Sequence, residues 1–369
     1  MRNAWVLVVA IAAMVIAAII YFGYYDNLQN AANGVTLYVT NGTYGANTIW
    51  VINGSGVDTV RVGNGPSDVK LSTDGRYAYV TNSGDGTVSV MDTTTNKVVR
   101  TISVGSGPSS IAVNPDGRYV YVLNSNQSIP LTGGYIGKST ISVINTTNFT
   151  VTGTIGFNLS TTDLKASSMA IVPNGTELYV AGSYDYYGYN INNYPIIGTN
   201  ESVWVVNTLN NSVVDTLATG LPQYPRSSPN LAASSSGEYV YLTYGQESFL
   251  IATSNKALEK LDFGTTYPYV MSMLLSPNDE YLYESDFYAG QGHFASSFDI
   301  FNLRGPVPQL MRSLNLSVGG IATTPYGRLI YVTGYYNSDV MAMSASPYKV
   351  VYTTKTGSYP SAIAVKAAT

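Results

Sequence analysis

The chain holds one histidine, His293, and no cysteine in 369 residues. That removes most routes to His-assisted nucleophilic catalysis and to soft or imidazole-rich metal sites. His293 lies in Ala289-Gly-Gln-Gly-His-Phe294, which reads as a loop, where a lone His more often meets solvent or a structural partner than a substrate. Gly137-Lys138-Ser139 imitates the tail of a phosphate-binding loop, but Thr132 stands where the first Gly belongs, and residues 140–144 read as a strand rather than a helix. Hard-cation ligands exist in Asp85, Asp163, Asp185, Glu284, Asp286 and Asp339, all on or near expected loops, yet no stretch has EF-hand spacing. No metal and no cofactor is expected. Two cations break the local pattern: Lys70, where other copies of an internal repeat carry Ala or Leu274, and Arg226, within Tyr224-Pro-Arg-Ser-Ser-Pro229. With Asp286 and His293 they are the polar groups from which a small-molecule site could be assembled.

The richer chemistry is aromatic. Tyr occurs 32 times, and Tyr184-Asp-Tyr-Tyr-Gly-Tyr-Asn190 concentrates Tyr184, Tyr186, Tyr187 and Tyr189 in one short segment. A Tyr ring is a flat apolar body with a polar tip, suited to stacking on a sugar ring or to a protein interface. Tyr224, Tyr267, Tyr269, Tyr288, Tyr335, Tyr336 and Tyr359 are expected on the same face of the fold.

The elements that must carry these residues follow from a repeat. Seven stretches run from a turn into a strand that ends on a Tyr motif: Tyr38, Tyr79, Tyr121, Tyr179, Tyr241, Tyr283 and Tyr331, spaced by 41, 42, 58, 62, 42 and 48 residues. This is the period of propeller blades. In one copy, strands are expected at 67–71, 77–81, 87–92 and 97–103, with hairpin turns at Thr73-Asp-Gly75 and Thr94-Thr-Asn96. Strand one repeats a large and small alternation, as in Ile111-Ala112-Val113, which fits an innermost strand near a crowded axis. The segment from Ser358 to Val365 reads as a strand one with no strand two after it, and Val35 to Thr40 as a strand two with no strand one before it. Joining them completes a blade and leaves no open edge. The expected fold is all-β: a seven-bladed β-propeller of four-stranded blades over 34–369, closed by its C-terminal strand. The insertions Leu123–Ser139, Ala181–Ser202 and Ser285–Ser297 are expected as long loops between strands two and three, and 156–167 and 220–229 as long loops leading to strand one. All open on one face, where specific function tends to be grafted.

Ahead of the propeller, residues 4–22 are 19 uncharged apolar or small residues, long enough for a transmembrane helix. Residues 1–25 therefore read as a membrane anchor or signal segment and 26–33 as a linker, with the propeller outside the cell, or secreted after cleavage. Ten Asn-X-Ser/Thr sequons, at Asn41, Asn53, Asn126, Asn145, Asn148, Asn158, Asn174, Asn200, Asn210 and Asn315, make glycosylation an expectation of an exported chain. Net charge is −4 with no basic run, so binding to nucleic acid is not expected. Charged residues make up only 11% of the chain, and a hydroxyl and amide surface of this kind suits acidic surroundings, where carboxylates are partly neutralised.

Tyr38-Val-Thr-Asn41, Tyr79-Val-Thr-Asn82, Gly65-Pro-Ser67, Gly107-Pro-Ser109 and Asn114-Pro-Asp-Gly117 resemble the YVTN family of seven-bladed propellers, found in archaeal surface-layer and other exported proteins. Later copies depart from the motif, as in Tyr179-Val-Ala-Gly182 and Tyr283-Glu-Ser-Asp286. The resemblance implies a cell surface location and supplies no catalytic residues. The expected function is a membrane-anchored, non-catalytic module that binds envelope protein or carbohydrate, with lateral self-association as a further option. The alternative is a propeller enzyme, a lactonase or other hydrolase or a cofactor-dependent oxidoreductase, with its site at the channel mouth.

Overall fold

In the computed structural model the described residues are Met14, Leu28 and 34–367, apart from 55, 132–133, 158–163, 190–194, 222–227, 246, 263–268, 291–292 and 306. Seven four-stranded antiparallel sheets form the seven blades of a propeller. Blade 1 is closed by the C-terminal strand: Pro360–Ala367 pairs with Val35–Asn41, bringing Leu37 opposite Val365 and Tyr38 opposite Ala364. Blade 2 comprises Pro66–Leu71, Tyr77–Asn82, Thr87–Asp92 and Lys97–Ser103, within a residue of the expected boundaries. Of the transmembrane helix expected over 4–22, all but Met14 lies outside the described residues. Among those described, no helix is long and apolar enough to cross a membrane.

The repeated Tyr is buried in the blade layers, and in two copies it ties neighbouring blades. Tyr38, Tyr79, Tyr121, Tyr179, Tyr283 and Tyr331 are all at most 1% exposed. The Tyr38 hydroxyl donates to the Thr93 carbonyl of blade 2 at 3.4 Å, and the Tyr121 hydroxyl to the Thr208 carbonyl of blade 4 at 3.3 Å. A Phe would fill the layer and leave those carbonyls without this donor. Towards the axis, Asp68 binds the strand-one backbone of the next blade, its Oδ2 accepting from the Ile111 amide at 2.9 Å.

The expected long loops are instead extended hairpins. Strands two and three of blade 3 run over Tyr119–Leu131 and Gly134–Asn145, those of blade 4 over Glu177–Tyr189 and Pro195–Asn207, and those of blade 6 over Tyr281–Gly290 and His293–Asn302. Continuing the ladder pairs backbone groups that a long loop would leave without partners. Several sequons also have a local cause, because the side-chain oxygens of Asn41, Asn145, Asn174 and Asn210 accept from the amide two residues on at 2.8–3.2 Å. Asn and Ser/Thr at that spacing are thus turn chemistry.

Candidate functional site

The strand two to three connections and the segments entering strand one share the face on which the pocket opens. Its volume is 570 Å³, it spans blades 7, 1 and 2, and its walls include Asn41, Thr43, Tyr44, Asn64, Ser67 and Tyr335. Every lining residue is Asn, Gly, Thr, Tyr, Pro or Ser, so the lining itself is uncharged, and the carboxylate beside it is Asp85, next in sequence to the lining residue Gly84.

Three tyrosines buttress one wall. Tyr335 packs on Tyr336 at a ring separation of 5.1 Å and on Tyr359 at 5.2 Å. Tyr359 is held in the left-handed region at φ 57°, costly for a bulky residue, and its carbonyl accepts from the Gly42 amide at 2.8 Å. A Cβ on Gly42 would lie 2.8 Å from that carbonyl oxygen, so the close approach requires glycine. On the blade 2 side, Asp85 fixes Asn64, accepting from its backbone amide and its Nδ2 at 2.8 Å each. Ser67 Oγ lies 2.8 Å from Thr81 Oγ1 and donates to the Pro108 carbonyl, also at 2.8 Å. The cavity thus joins a rigid aromatic wall to amide and hydroxyl groups, a set that accommodates a neutral, polyhydroxylated ligand.

The sequence-derived candidates do not gather at this pocket. Lys70, with its side chain 50% exposed and 3.9 Å from Asp68 Oδ1, borders a separate 270 Å³ pocket with Ile111, Val113 and Met169. Pro66 touches the large pocket and Lys70 the small one, four residues further down the same strand, roughly 13 Å at strand spacing. Asp286, expected on a loop, is in strand two of blade 6 opposite Ser297, and only 3% exposed. His293, also expected in a loop, starts strand three of that blade opposite Gly290, with its side chain outside the description. Tyr184, Tyr186, Tyr187 and Tyr189 pair with Asn200, Gly198, Ile197 and Pro195; their side chains likewise lie outside it, as does all of Arg226. Sequence reading placed Tyr335 and Tyr359 on this face but missed Tyr44, Asn64 and Ser67. Their signal was the Tyr44-Gly45 and Asn64-Gly65 turns, and short Gly-containing turns of this kind recur along the chain, as at Ser106-Gly107.

The cytochrome D1 heme domain family matches residues 43–128. Comparison with curated proteins finds no match. Among solved structures, Kuenenia stuttgartiensis hydrazine synthase is 18% identical, with a TM-score of 0.65 over 86% of this chain and 94% of that one. Pseudomonas aeruginosa periplasmic gluconolactonase is 16% identical, with a TM-score of 0.63 over 91% and 99%. A Bacteroides fragilis protein ascribed 6-phosphogluconolactonase character is 18% identical, with a TM-score of 0.61 over 90% and 98%. At these identities the likeness shows the fold. The matched segment contains no His or Cys, and its one Met, Met91, is fully buried in the blade core, so of the usual heme ligands it offers only tyrosines.

The expectation of a non-catalytic envelope-binding module is corrected: the heme-domain family model and the enzyme-named propellers among these neighbours stand with its alternative, a propeller enzyme, rather than with that module. On the same face Tyr335 and the exposed Tyr44 line a half-open cleft of about 570 Å³, a volume within the small-molecule range.

Proposed function

We propose that the chain is a propeller enzyme of the lactonase or hydrolase kind, acting on a neutral sugar-like substrate in the pocket over blades 7, 1 and 2. The observation that carries this reading is the pocket lining, which is wholly uncharged and places Tyr rings against amide and hydroxyl groups. The carboxylate best placed to serve it is Asp85, which is solvent-exposed and anchored to the pocket residue Asn64. As a general base Asp85 takes a proton from water while the water oxygen bonds the acyl carbon; the ring C–O bond then breaks and the proton passes to the departing alkoxide. The lactonase-named neighbours support the reaction class by analogy of fold alone. The YVTN-type repeats support grouping the chain with that family, and residues 4–22 support an exported, membrane-tethered setting, which alkaline extraction of native membranes would check.

Titrating acid release from a panel of sugar lactones tests the reading. Wild type should turn over at least one of them, Asp85→Asn should lose about 100-fold or more in kcat, and Tyr335→Ala should chiefly raise KM. Hydrolysis that is absent for every lactone, or unaffected by Asp85→Asn, would remove it.

A further inference from the structure

The layer between blades 5 and 6 contains side chains that the pocket does not use. Glu284 and Asp286 alternate along strand two of blade 6, with Asp299 and Ser297 directly across from them on strand three, so all four share one face of the sheet. That face meets blade 5, because Leu282 and Phe301 on it pack with Ala232 and Tyr241. Thr243, two residues beyond Tyr241, points the same way. Exposure is 2% for Glu284, 3% for Asp286, 4% for Ser297, 0% for Asp299 and 1% for Thr243. No hydrogen-bond partner meets Glu284 Oε1, Asp286 Oδ2, Ser297 Oγ, Thr243 Oγ1 or either carboxylate oxygen of Asp299.

Three ionised carboxylates in such a place are strongly unfavourable unless neutralised. Among the described side chains, the titratable groups that blade 5 turns towards this layer are Tyr239, Tyr241 and Glu259. Strands one and four of blade 6 turn only uncharged residues to it, Val270 and Met273 from one and Ser313 from the other. Thus no described Lys or Arg faces the carboxylates. A metal is not indicated either: among the described residues, no three His, Cys, Asp or Glu side chains are placed to hold one. Protons remain.

We propose that Glu284, Asp286 and Asp299 form a proton-loaded lock between blades 5 and 6. Glu284 and Asp286 are held there as neutral acids that donate to Asp299, and the docking of the two blades is firm in acid and loosens as the medium turns alkaline. The count of groups fits: two acids supply two O–H donors, and Asp299 offers two oxygens that otherwise have no partner. The buried hydroxyls of Ser297 and Thr243 extend the network. Desolvation first, then the charges of Asp286 and Asp299, raises Glu284 well above its ordinary value. Desolvation and then Asp299 push Asp286 up to about 8. Both folded-state values exceed the unfolded ones, so the native chain binds more protons. The stabilisation is complete below the unfolded values, near pH 4, and is lost as pH rises through the folded ones.

The repeat supplies its own control, since blade 2 carries Val80, Asn82 and Ser89 at the positions of Glu284, Asp286 and Asp299. Thermal unfolding of the full chain should show a midpoint that falls by several degrees between about pH 5 and about pH 9, and a variant with Glu284→Val, Asp286→Asn and Asp299→Ser should lose most of that fall, the remainder belonging to Glu201 in blade 4, which burial pushes up to about 7. Difference infrared spectra at about pH 8, above the Glu201 value, should contain the carbonyl stretch of a protonated carboxylic acid in wild type and lack it in the variant. If the triple variant does not fold, Asp286→Asn alone should weaken that band and flatten the profile. A pH profile shared by wild type and variants would overturn the lock. So would a midpoint at neutral pH that rises with calcium and falls with chelator while the acid band is missing, since a cation would then be the neutraliser.

Discussion

Blades 2 and 6 turn the same positions of strands two and three towards a neighbour and fill them with opposite chemistry. In blade 2, Asn82 Nδ2 donates to Thr87 Oγ1 and Ser89 Oγ at 3.0 Å each, while its Oδ1 accepts from the Gly63 amide at 3.1 Å. Blade 3 repeats the donor half, with Asn124 Nδ2 giving 3.2 and 3.0 Å bonds to Thr140 and Ser142. Blade 6 places Asp286, Ser297 and Asp299 there, and Glu284 where blade 2 has Val80. An amide is both donor and acceptor, so the blade 2 layer is satisfied at any pH; a carboxylate only accepts, and the near-isosteric set in blade 6 needs protons to close its bonds. Register is shared between the two blades, and the dependence on solution conditions is not.

The most damaging way to break this comparison is to write blade 6 into blade 2. Val80→Glu with Asn82→Asp and Ser89→Asp buries new carboxylates in a layer whose Val80 and Asn82 are fully buried, and should cost about 3–5 kcal/mol at pH 7. Urea unfolding would measure it, and acid should recover part of the loss. An unchanged midpoint at neutral pH would mean that these layers tolerate bare charge. The reverse exchange is milder: Glu284→Val with Asp286→Asn and Asp299→Ser removes the whole set and should stabilise the chain by about 1–4 kcal/mol near pH 8, with the gain shrinking in acid, where the wild-type acids are already neutral.

The sequence carried these two blades unequally. The Tyr motif, the Gly-containing turns and the unpaired terminal strands were enough to set blade count and closure, because the first two are local patterns that recur along the chain and the third is a local pattern at each end of the propeller. Tyr283-Glu-Ser-Asp286 was visible as a departure from Tyr-Val-Thr-Asn, yet its carboxylates read as loop ligands. Their burial depends on the strand continuing to Gly290 and on blade 5 covering the face, neither of which is local. Asp299 joins them only through hairpin register, which no short motif encodes. The pocket was harder still, since Thr43, Asn64 and Tyr335 come from three blades and meet only once the ring closes.

A smaller test stays inside blade 2. Asn82→Ala removes two donated bonds and leaves the buried Ser89 hydroxyl without its donor, for an expected loss of about 1–3 kcal/mol with no change in pH profile. A loss that varied with pH would blur the contrast with blade 6, because no titrating group is involved.

The smallest effect is expected at the turn between strands one and two, where the blades differ again. Blade 2 has Gly75 at φ 67°, and blade 6 has Asp279 at φ 56° in the same place. A non-glycine residue there is mildly unfavourable, though Asp tolerates the left-handed region better than most. Against that, the Asp279 carboxylate reaches the blade 5 turn, accepting from the Ser235 amide at 2.8 Å, the Ser235 hydroxyl at 2.7 Å and the Ser236 amide at 3.1 Å. These bonds are exposed, which limits their worth, but one carboxylate engages two donors of a neighbouring backbone at once. Asp279→Gly relieves the backbone and deletes the tie, so the two effects nearly cancel, and the tie should win by about 0.5–1 kcal/mol. Faster amide exchange at Ser235 and Ser236 should accompany that loss; a gain in stability with unchanged exchange would show that backbone strain, and not the link to blade 5, decides the residue at this turn.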